Sequence, residues 1–142
     1  MGLFKSISYE APTLKVGAGC TWDEVYRYLA ESHPDRNVVG GERGIRGVGV
    51  SGYLLGSGFS VKTGQYGLGI DAIRSIEVVL PDGRIKIVDK DTDKDLFWAL
   101  KVRLTFKDPF YAKSRESHRE VATILELSLS LHSRLMNKEK YM

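Results

Sequence analysis

Cysteine is almost missing from this chain of 142 residues, in which Cys20 is the single one. One thiol cannot form an internal disulfide, nor can it build a metal site that needs several cysteines. Histidine is also scarce, and the three that occur do not have the spacing of metal ligands. They are His33, His118 and His132. The sequence therefore predicts neither a disulfide framework nor a metal site.

Long apolar runs are lacking too, and no stretch approaches the roughly 18 residues that a membrane span needs. The formal net charge is only +3, and the small basic excess belongs to residues 101–142. Charges of both signs alternate there, as in Glu116, Arg119 and Glu120, which is typical of a solvated helix face. We therefore predict neither a membrane nor a nucleic-acid partner.

The first part of the chain predicts two short strands followed by a helix. Residues 6–9 and 13–16 have strand composition, and a proline between them indicates a turn. Thr21, with Glu24 three residues later, is the pattern of a helix-capping box. An apolar stripe at helical spacing follows, and Pro34 ends it. The stripe consists of Trp22, Val25, Tyr26, Leu29 and Ala30.

The middle of the chain predicts a hairpin and a second helix. Apolar and polar residues alternate over 76–80, and the sequence Leu-Pro-Asp-Gly at 80–83 is typical of a tight turn. The alternation resumes at 85–87 on the returning strand. A helix is then expected to begin near Thr92 or Asp93.

The end of the chain gives a less decisive pattern. Residues 102–106 have the composition of a strand, and residues 110–140 predict mainly helix. Four apolar residues lie along one side of that helix: Ile124, Leu127, Leu131 and Leu135. The run 125–131 also alternates strictly, so a strand stays open there, because periodicity alone does not decide between the two.

Glycine is concentrated in residues 40–69, which hold eleven of the fifteen and are predicted to form a long functional loop. The run from Gly47 to Gly52 is suited to forming a nest of bare amides around a phosphate. Residues 53–55 would follow as a helical turn whose amino end faces the anion. A flexible linker is the alternative, but apolar residues such as Val48 and Leu54 interleave with the glycines, which a linker lacks.

Gly47, Gly49 and Gly52 also have the spacing of the dinucleotide-binding fingerprint of Rossmann folds. That motif follows a strand and opens a long helix, whereas here Gly56 and Gly58 interrupt any helix. An NAD-binding module therefore stays an alternative prediction. The Walker A sequence Gly-Lys-Ser/Thr does not occur, so nucleotide hydrolysis is not indicated.

Six segments, taken in order and with their spacing, resemble one known family. They are residues 16–22, 38–41, 49–58, 66–71, 77–83 and 95–100, and they include Gly49-Val50-Ser51-Gly52 and Asp95-Leu96-Phe97-Trp98. The chain resembles the FAD-linked oxidases with a PCMH-type (vanillyl-alcohol-oxidase-like) FAD-binding domain, and most of all the berberine-bridge-enzyme-like branch. The resemblance covers about residues 6–100.

The resemblance implies an α+β fold in which two subdomains clasp FAD. This chain would hold the second subdomain, a small mixed or antiparallel sheet flanked by helices, with a mainly helical C-terminal tail. Residues 1–101 would be the partial FAD-binding domain. Residues 102–142 would be a divergent or truncated extension.

The resemblance also implies a set of cofactor contacts. The family's pyrophosphate loop corresponds to Gly49, Val50, Ser51 and Gly52, preceded by Gly47 and followed by Gly56 and Gly58. The family residues near the flavin correspond to Tyr66, Gly67, Leu68 and Asp71. The expected cofactor is FAD, and the expected partner of the intact enzyme is an organic substrate.

Several parts of the family pattern are not found. The family's Gly-Gly-His loop, which carries the flavin-linking histidine, would precede residue 1, and Arg43 stands where some members have a second flavin-linking cysteine. The glycine-rich run that follows Leu100 in the family is missing, as are the substrate domain and its catalytic base. We therefore predict no catalytic residue and expect the chain to bind FAD weakly or not at all by itself. The alternative to an oxidoreductase module is a non-catalytic remnant that acts through protein contacts.

Overall fold

The computed structural model describes residues 4–42, 47–101 and 123–133. Its strands are β1 (Ile7–Glu10), β2 (Thr13–Gly17), β3 (Arg36–Asn37), β4 (Ile73–Val79), β5 (Ile85–Asp89), β6 (Thr123–Ser130) and β7 (His132–Ser133). Its helices are α1 (Trp22–Ser32), α2 (Val50–Leu55), α3 (Thr63–Tyr66) and α4 (Lys94–Leu100), with a 3-10 turn at Gly69–Ala72. The order of strands and helices confirms the α+β class.

The main sheet has five strands in the order β1-β2-β6-β4-β5, and all of its neighbouring pairs are antiparallel. A second sheet joins only β3 and β7. A small antiparallel sheet flanked by helices is the architecture that the family resemblance implied.

Strand β6 corrects one expectation about the C-terminal tail. Helix was predicted over 110–140, and this is wrong for Thr123–Ser130, which form the central strand of the sheet. Leu127 lies opposite Val16 on one side and Ile76 on the other, and it is fully buried, as is Leu129. The strict alternation was the true signal, because it places both leucines on the inner face of the sheet. The helix prediction is also wrong for His132–Ser133, which form β7. The predicted strand at 102–106 and residues 110–122 and 134–140 of the predicted helix lie outside the described residues.

The other predicted strands and helices are confirmed to within a few residues. Glu24 fixes the start of α1, since its carboxylate accepts hydrogen bonds from the Thr21 amide at 2.8 Å and the Thr21 hydroxyl at 3.0 Å. Asp93 caps α4 by accepting from the Leu96 amide at 3.2 Å. The hairpin closes at residues 80–84, where the Leu80 amide donates to the Arg84 carbonyl at 2.8 Å.

One apolar core joins the inner face of the sheet to α1, α2 and α4. Its buried members include Leu14, Val16, Trp22, Val25, Leu29, Val50, Leu54, Ile76, Val78, Val88, Phe97, Leu127 and Leu129. Burying each large aliphatic side chain contributes about 1.5–3 kcal/mol, so this core is the main force that holds α2 in place. Among the described residues every helix is too short to span a bilayer.

Candidate functional site

The loop before α2 and the first turn of that helix leave open space beside three glycines. Gly47 has a positive φ of +87°, and a Cβ built on Gly47, Gly49 or Gly52 would meet no heavy atom of the described residues within 4 Å. The φ of Gly49 is −70°, which any residue adopts. Neither backbone conformation nor internal packing therefore requires glycine at 49. What glycine does provide there is unobstructed access to the backbone from outside.

The backbone amides at the start of α2 divide into two that are paired and two for which the described residues provide no acceptor. The Val50 amide donates to the Cys20 carbonyl at 2.9 Å, and the Tyr53 amide donates to the Gly49 carbonyl at 3.1 Å. Between them, the amides of Ser51 and Gly52 donate to no acceptor in the part of the chain that the structure describes. Free amides at the start of a helix carry a partial positive charge, so this surface is suited to an anion.

The side chains of Val50 and Ser51 make contacts within the protein. Val50 is fully buried in the core. The Ser51 hydroxyl donates to the Ala18 carbonyl at 3.0 Å. Both residues thus fasten the loop to the protein, and what they offer outward is backbone.

Gly56 and Gly58 shape the segment that follows. Gly56 ends α2, and Gly58 has a φ of +70°. The Gly69 amide donates to the Gly58 carbonyl at 2.8 Å, and the Ile70 amide donates to the Ser57 carbonyl at 3.2 Å. These bonds place the glycine-rich segment beside the 3-10 turn, so the two predicted groups of site residues become neighbours.

The second predicted group, residues 66–71, is held by its own contacts. Gly67 has a φ of +81°. The Asp71 carboxylate accepts from the Leu68 amide at 3.1 Å, and it therefore stabilises the start of the 3-10 turn. The Tyr66 ring lies 4.3 Å, centroid to centroid, from the ring of His132.

His132 is a neighbour of this group that sequence reasoning missed. It lies on β7, and its Nδ1 atom is buried without a hydrogen-bond partner among the described residues. Burial, and then the nearby charges of Arg74 and Lys62, hold the pKa of His132 below its usual value, so the ring is neutral near pH 7. No local sequence pattern identifies His132 as a neighbour of the site, because its position beside Tyr66 depends on the strands that residues 123–133 form.

A cavity lies elsewhere, between α1 and the segments 36–42 and 60–62. Its volume is about 420 Å³. Its lining residues are Tyr26, Leu29, Ala30, Pro34, Arg36, Asn37, Val38, Gly40, Gly41, Glu42, Ser60, Val61 and Lys62. None of the predicted cofactor residues is among them. The Tyr26 hydroxyl donates to the Gly41 carbonyl at 2.5 Å, and burial raises the pKa of that phenol.

The glycine loop, residues 47–52, fits a diphosphate on two grounds seen in this structure. Among the residues that the structure describes, no heavy atom lies within 4 Å of a Cβ built on Gly47, Gly49 or Gly52, so phosphate oxygens have room to approach the backbone. The amides of Ser51 and Gly52 at that surface have no acceptor among the described residues, and free amides of this kind are how loops before helices bind phosphates without a lysine.

Comparison with protein families and curated proteins gives one consistent result. Residues 1–89 match a family described as an FAD binding domain. The chain is 41% identical over 87 residues to the FAD-dependent monooxygenase tpcD of Cochliobolus heterostrophus, an overlap that covers 61% of this chain and 16% of that protein. It is 36% identical over 97 residues to the bifunctional decalin synthase calF of Penicillium decumbens, covering 68% and 16%. The chain thus spans about a sixth of the length of these relatives.

Solved structures share the fold. BBE-like 1 of Physcomitrella patens superposes with a TM-score of 0.72 at 23% identity, over 92% of this chain and 25% of that one. The glucooligosaccharide oxidase of Acremonium strictum gives a TM-score of 0.70 at 23% identity, over 92% and 24%. At such identity the likeness shows a common architecture.

Proposed function

We propose, given that the chain belongs to the FAD binding domain family, that it supplies the diphosphate-contacting part of the FAD site of a flavin-dependent oxidoreductase. The cofactor is FAD. The observation that carries the proposal is the coincidence, at one surface, of open space beside three glycines and two unpaired amides.

Individual residues divide into those that face the cofactor and those that hold the loop. Gly47, Gly49, Ser51 and Gly52 would face the diphosphate with their backbones. Gly56 and Gly58 would set the course of the chain just beyond it, and Val50 would anchor the loop in the core. Tyr66, Gly67, Leu68 and Asp71 would lie near the flavin ring, on a turn that the Asp71 carboxylate stabilises.

The activity belongs to a larger protein of which this chain would be one module. FAD, when bound, supplies the redox chemistry by accepting a hydride from an organic substrate. The chain's own part is to bind and orient the cofactor, and no described residue is assigned to catalysis. We propose that residues 1–101 are the partial FAD-binding domain and 102–142 a divergent or truncated extension. That division is one of sequence likeness, since β6 from the second part completes the sheet of the first.

A titration of the isotope-labelled chain with FAD, followed by amide chemical shifts, tests the proposal. FAD at millimolar concentration should move the amide signals of residues 47–58 and then 66–71, and ADP should reproduce the shifts at 47–52, because it carries the same diphosphate. Binding should be weak, with no complex that survives gel filtration. Shifts confined to the 420 Å³ cavity, or no shifts at all, would contradict the assignment. A stoichiometric yellow complex after gel filtration would contradict the view that the chain is incomplete as an FAD site.

A non-catalytic role through protein contacts is the second candidate, and exposed apolar side chains favour it. Trp98 is 61% exposed, Phe59 75% and Val61 79%. Trp22 and Phe97, by contrast, are buried in the chain's own core. Self-association that Trp98→Ser reduces, seen by sedimentation at several concentrations, would support this role. A monodisperse monomer would count against it.

The fold does not support the NAD-binding alternative. The described strands pair only antiparallel, whereas a Rossmann unit needs parallel strands.

A further inference from the structure

The glycine loop is fastened to a turn that lies about thirty residues earlier in the sequence. Three hydrogen bonds join them: the Trp22 amide to the Val48 carbonyl at 3.1 Å, the Val50 amide to the Cys20 carbonyl at 2.9 Å, and the Ser51 hydroxyl to the Ala18 carbonyl at 3.0 Å. Thr21 and Gly49 face each other as an isolated antiparallel bridge. The loop therefore takes its shape from the β2–α1 turn, residues 17–22, which includes the first residue of α1.

The β2–α1 turn is itself fixed from behind by the start of the described chain. The Gly17 amide donates to the Ser6 carbonyl at 2.8 Å, and the Gly19 amide to the Phe4 carbonyl at 2.9 Å. A Cβ on Gly17 would lie only 2.3 Å from the Phe4 carbonyl oxygen, so the turn has no room to shift in that direction. A rigid support of this kind preorganises whatever is bonded to it.

We propose that the Ser51 side chain has a positioning role in the FAD site: its hydroxyl locks the loop onto the β2–α1 turn and is not itself a phosphate ligand. The expected effect of Ser51 on FAD binding rests on the proposed function, whereas the hydrogen bond to the Ala18 carbonyl is seen in the structure whatever the function is. A hydroxyl has a single proton to donate, and the Ser51 proton is committed to the Ala18 carbonyl. What Oγ presents elsewhere is lone pairs, which repel phosphate oxygens. The Ser51 amide, held in place by that bond, is the donor left for the cofactor.

The test uses the full chain with three variants. Ser51→Ala removes the bond, Ser51→Thr keeps a hydroxyl, and Thr13→Ala is the matched control, since the Thr13 hydroxyl also donates to a carbonyl, that of Glu10 at 2.8 Å, away from the loop. Amide hydrogen exchange is measured without cofactor, and FAD affinity by chemical-shift titration. In Ser51→Ala, exchange at the Val50 and Trp22 amides should speed up about tenfold and FAD should bind about three- to tenfold more weakly. Ser51→Thr should restore both, and Thr13→Ala should change neither.

The two measurements separate the possible failures. Unchanged exchange at Val50 in Ser51→Ala would overturn the positioning role. Unchanged exchange with much weaker FAD binding would do so as well, because the hydroxyl would then contact the cofactor directly. If FAD moves no amide of the wild-type loop, the proposed function fails, while the exchange data still decide whether Ser51 positions the loop.

Discussion

Gly58 and Gly69 touch through their backbones: a Cβ built on Gly58 would lie 2.9 Å from the Gly69 Cα, and the Gly69 amide donates to the Gly58 carbonyl at 2.8 Å. This contact joins the two groups of proposed cofactor residues. It exists because neither residue has a side chain and because Gly58 adopts a φ of +70°. The relative placement of the proposed diphosphate loop and the proposed flavin-side turn thus depends on this pair of glycines, together with the bond from the Ile70 amide to the Ser57 carbonyl.

Gly58→Ala should therefore destabilise the protein by about 2–3 kcal/mol, through strain at positive φ and the clash with Gly69. The free energy of unfolding from urea titration measures the effect. Gly64→Ala is the control, because Gly64 lies in α3 with nothing near its Cβ position. A Gly58→Ala variant as stable as wild type would show that the 57–58 segment moves freely away from the 3-10 turn.

Gly52→Ala should separate stability from binding. Gly52 is a helical position with open space beside it, so alanine should leave the free protein equally stable or up to about 1 kcal/mol more stable. The new methyl group would occupy the space proposed for the diphosphate, and FAD affinity should fall about tenfold or more. Urea unfolding and FAD titration of the same variant check the two halves. Unchanged FAD affinity would contradict the placement of the diphosphate at this loop.

Leu127→Ala should cost about 2–5 kcal/mol of unfolding free energy, because it opens a cavity in the centre of the sheet. Leu127 is fully buried between Val16 of β2 and Ile76 of β4. The neighbouring Ser128→Ala, on the opposite face of the same strand, should change stability by about 0.5 kcal/mol or less. Equal effects of the two substitutions would argue against β6 as the central strand.

Acid should weaken the fold partly through Glu24. The Lys5 ammonium, 2.7 Å away, and then the Thr21 amide hold the pKa of the Glu24 carboxyl below its usual value. A carboxyl whose pKa is lowered by folding stabilises the native state above its unfolded pKa, and that contribution is lost as pH falls through the folded pKa.

Glu24→Gln should accordingly be less stable than wild type near neutral pH and lose less stability on acidification. Urea unfolding at steps from about pH 6 to about pH 3 spans the range in which glutamates protonate. Glu31→Gln, which removes the same charge from the far end of α1 and leaves the contacts of Glu24 with Lys5 and Thr21 in place, is the matched control. Parallel pH profiles for Glu24→Gln and wild type would rule out a stabilising role for this carboxylate.

Local sequence signals predicted those features of the fold that local chemistry determines. Helix caps and tight turns depend on residues only three or four positions apart. The sequence pattern alone was therefore enough to predict the caps of α1 and α4 and the turn at 80–83. Strand β6 was ambiguous because Leu127 and Leu131 satisfy both a helical and a strand period. Pairing with β2, more than 100 residues earlier, and with β4 selects the strand, and such long-range pairing leaves no mark in a short window.

The sequence likewise predicted only part of the candidate site. The concentration of glycine located the loop, but the sequence did not reveal that the Ser51 hydroxyl is bonded to Ala18 or that the Asp71 carboxylate holds the Leu68 amide. The family resemblance implied cofactor contacts at both residues, but it did not tell side-chain contacts from backbone contacts. Their actual partners became visible only with the three-dimensional course of the chain, as did the contact of Tyr66 with His132.

The place of β6 between β2 and β4 has a consequence for how the protein is made. A ribosome delivers residues 13–17 and 73–79 long before 123–130, so the nascent chain holds two strands that each lack a neighbour on one side. Open strand edges are templates for pairing with other polypeptides. Translation of β6 therefore covers the open edges of β2 and β4 and leaves β1 and β5 as the outer strands of the main sheet. Synthesis that stalls before residue 123 should accordingly yield aggregates.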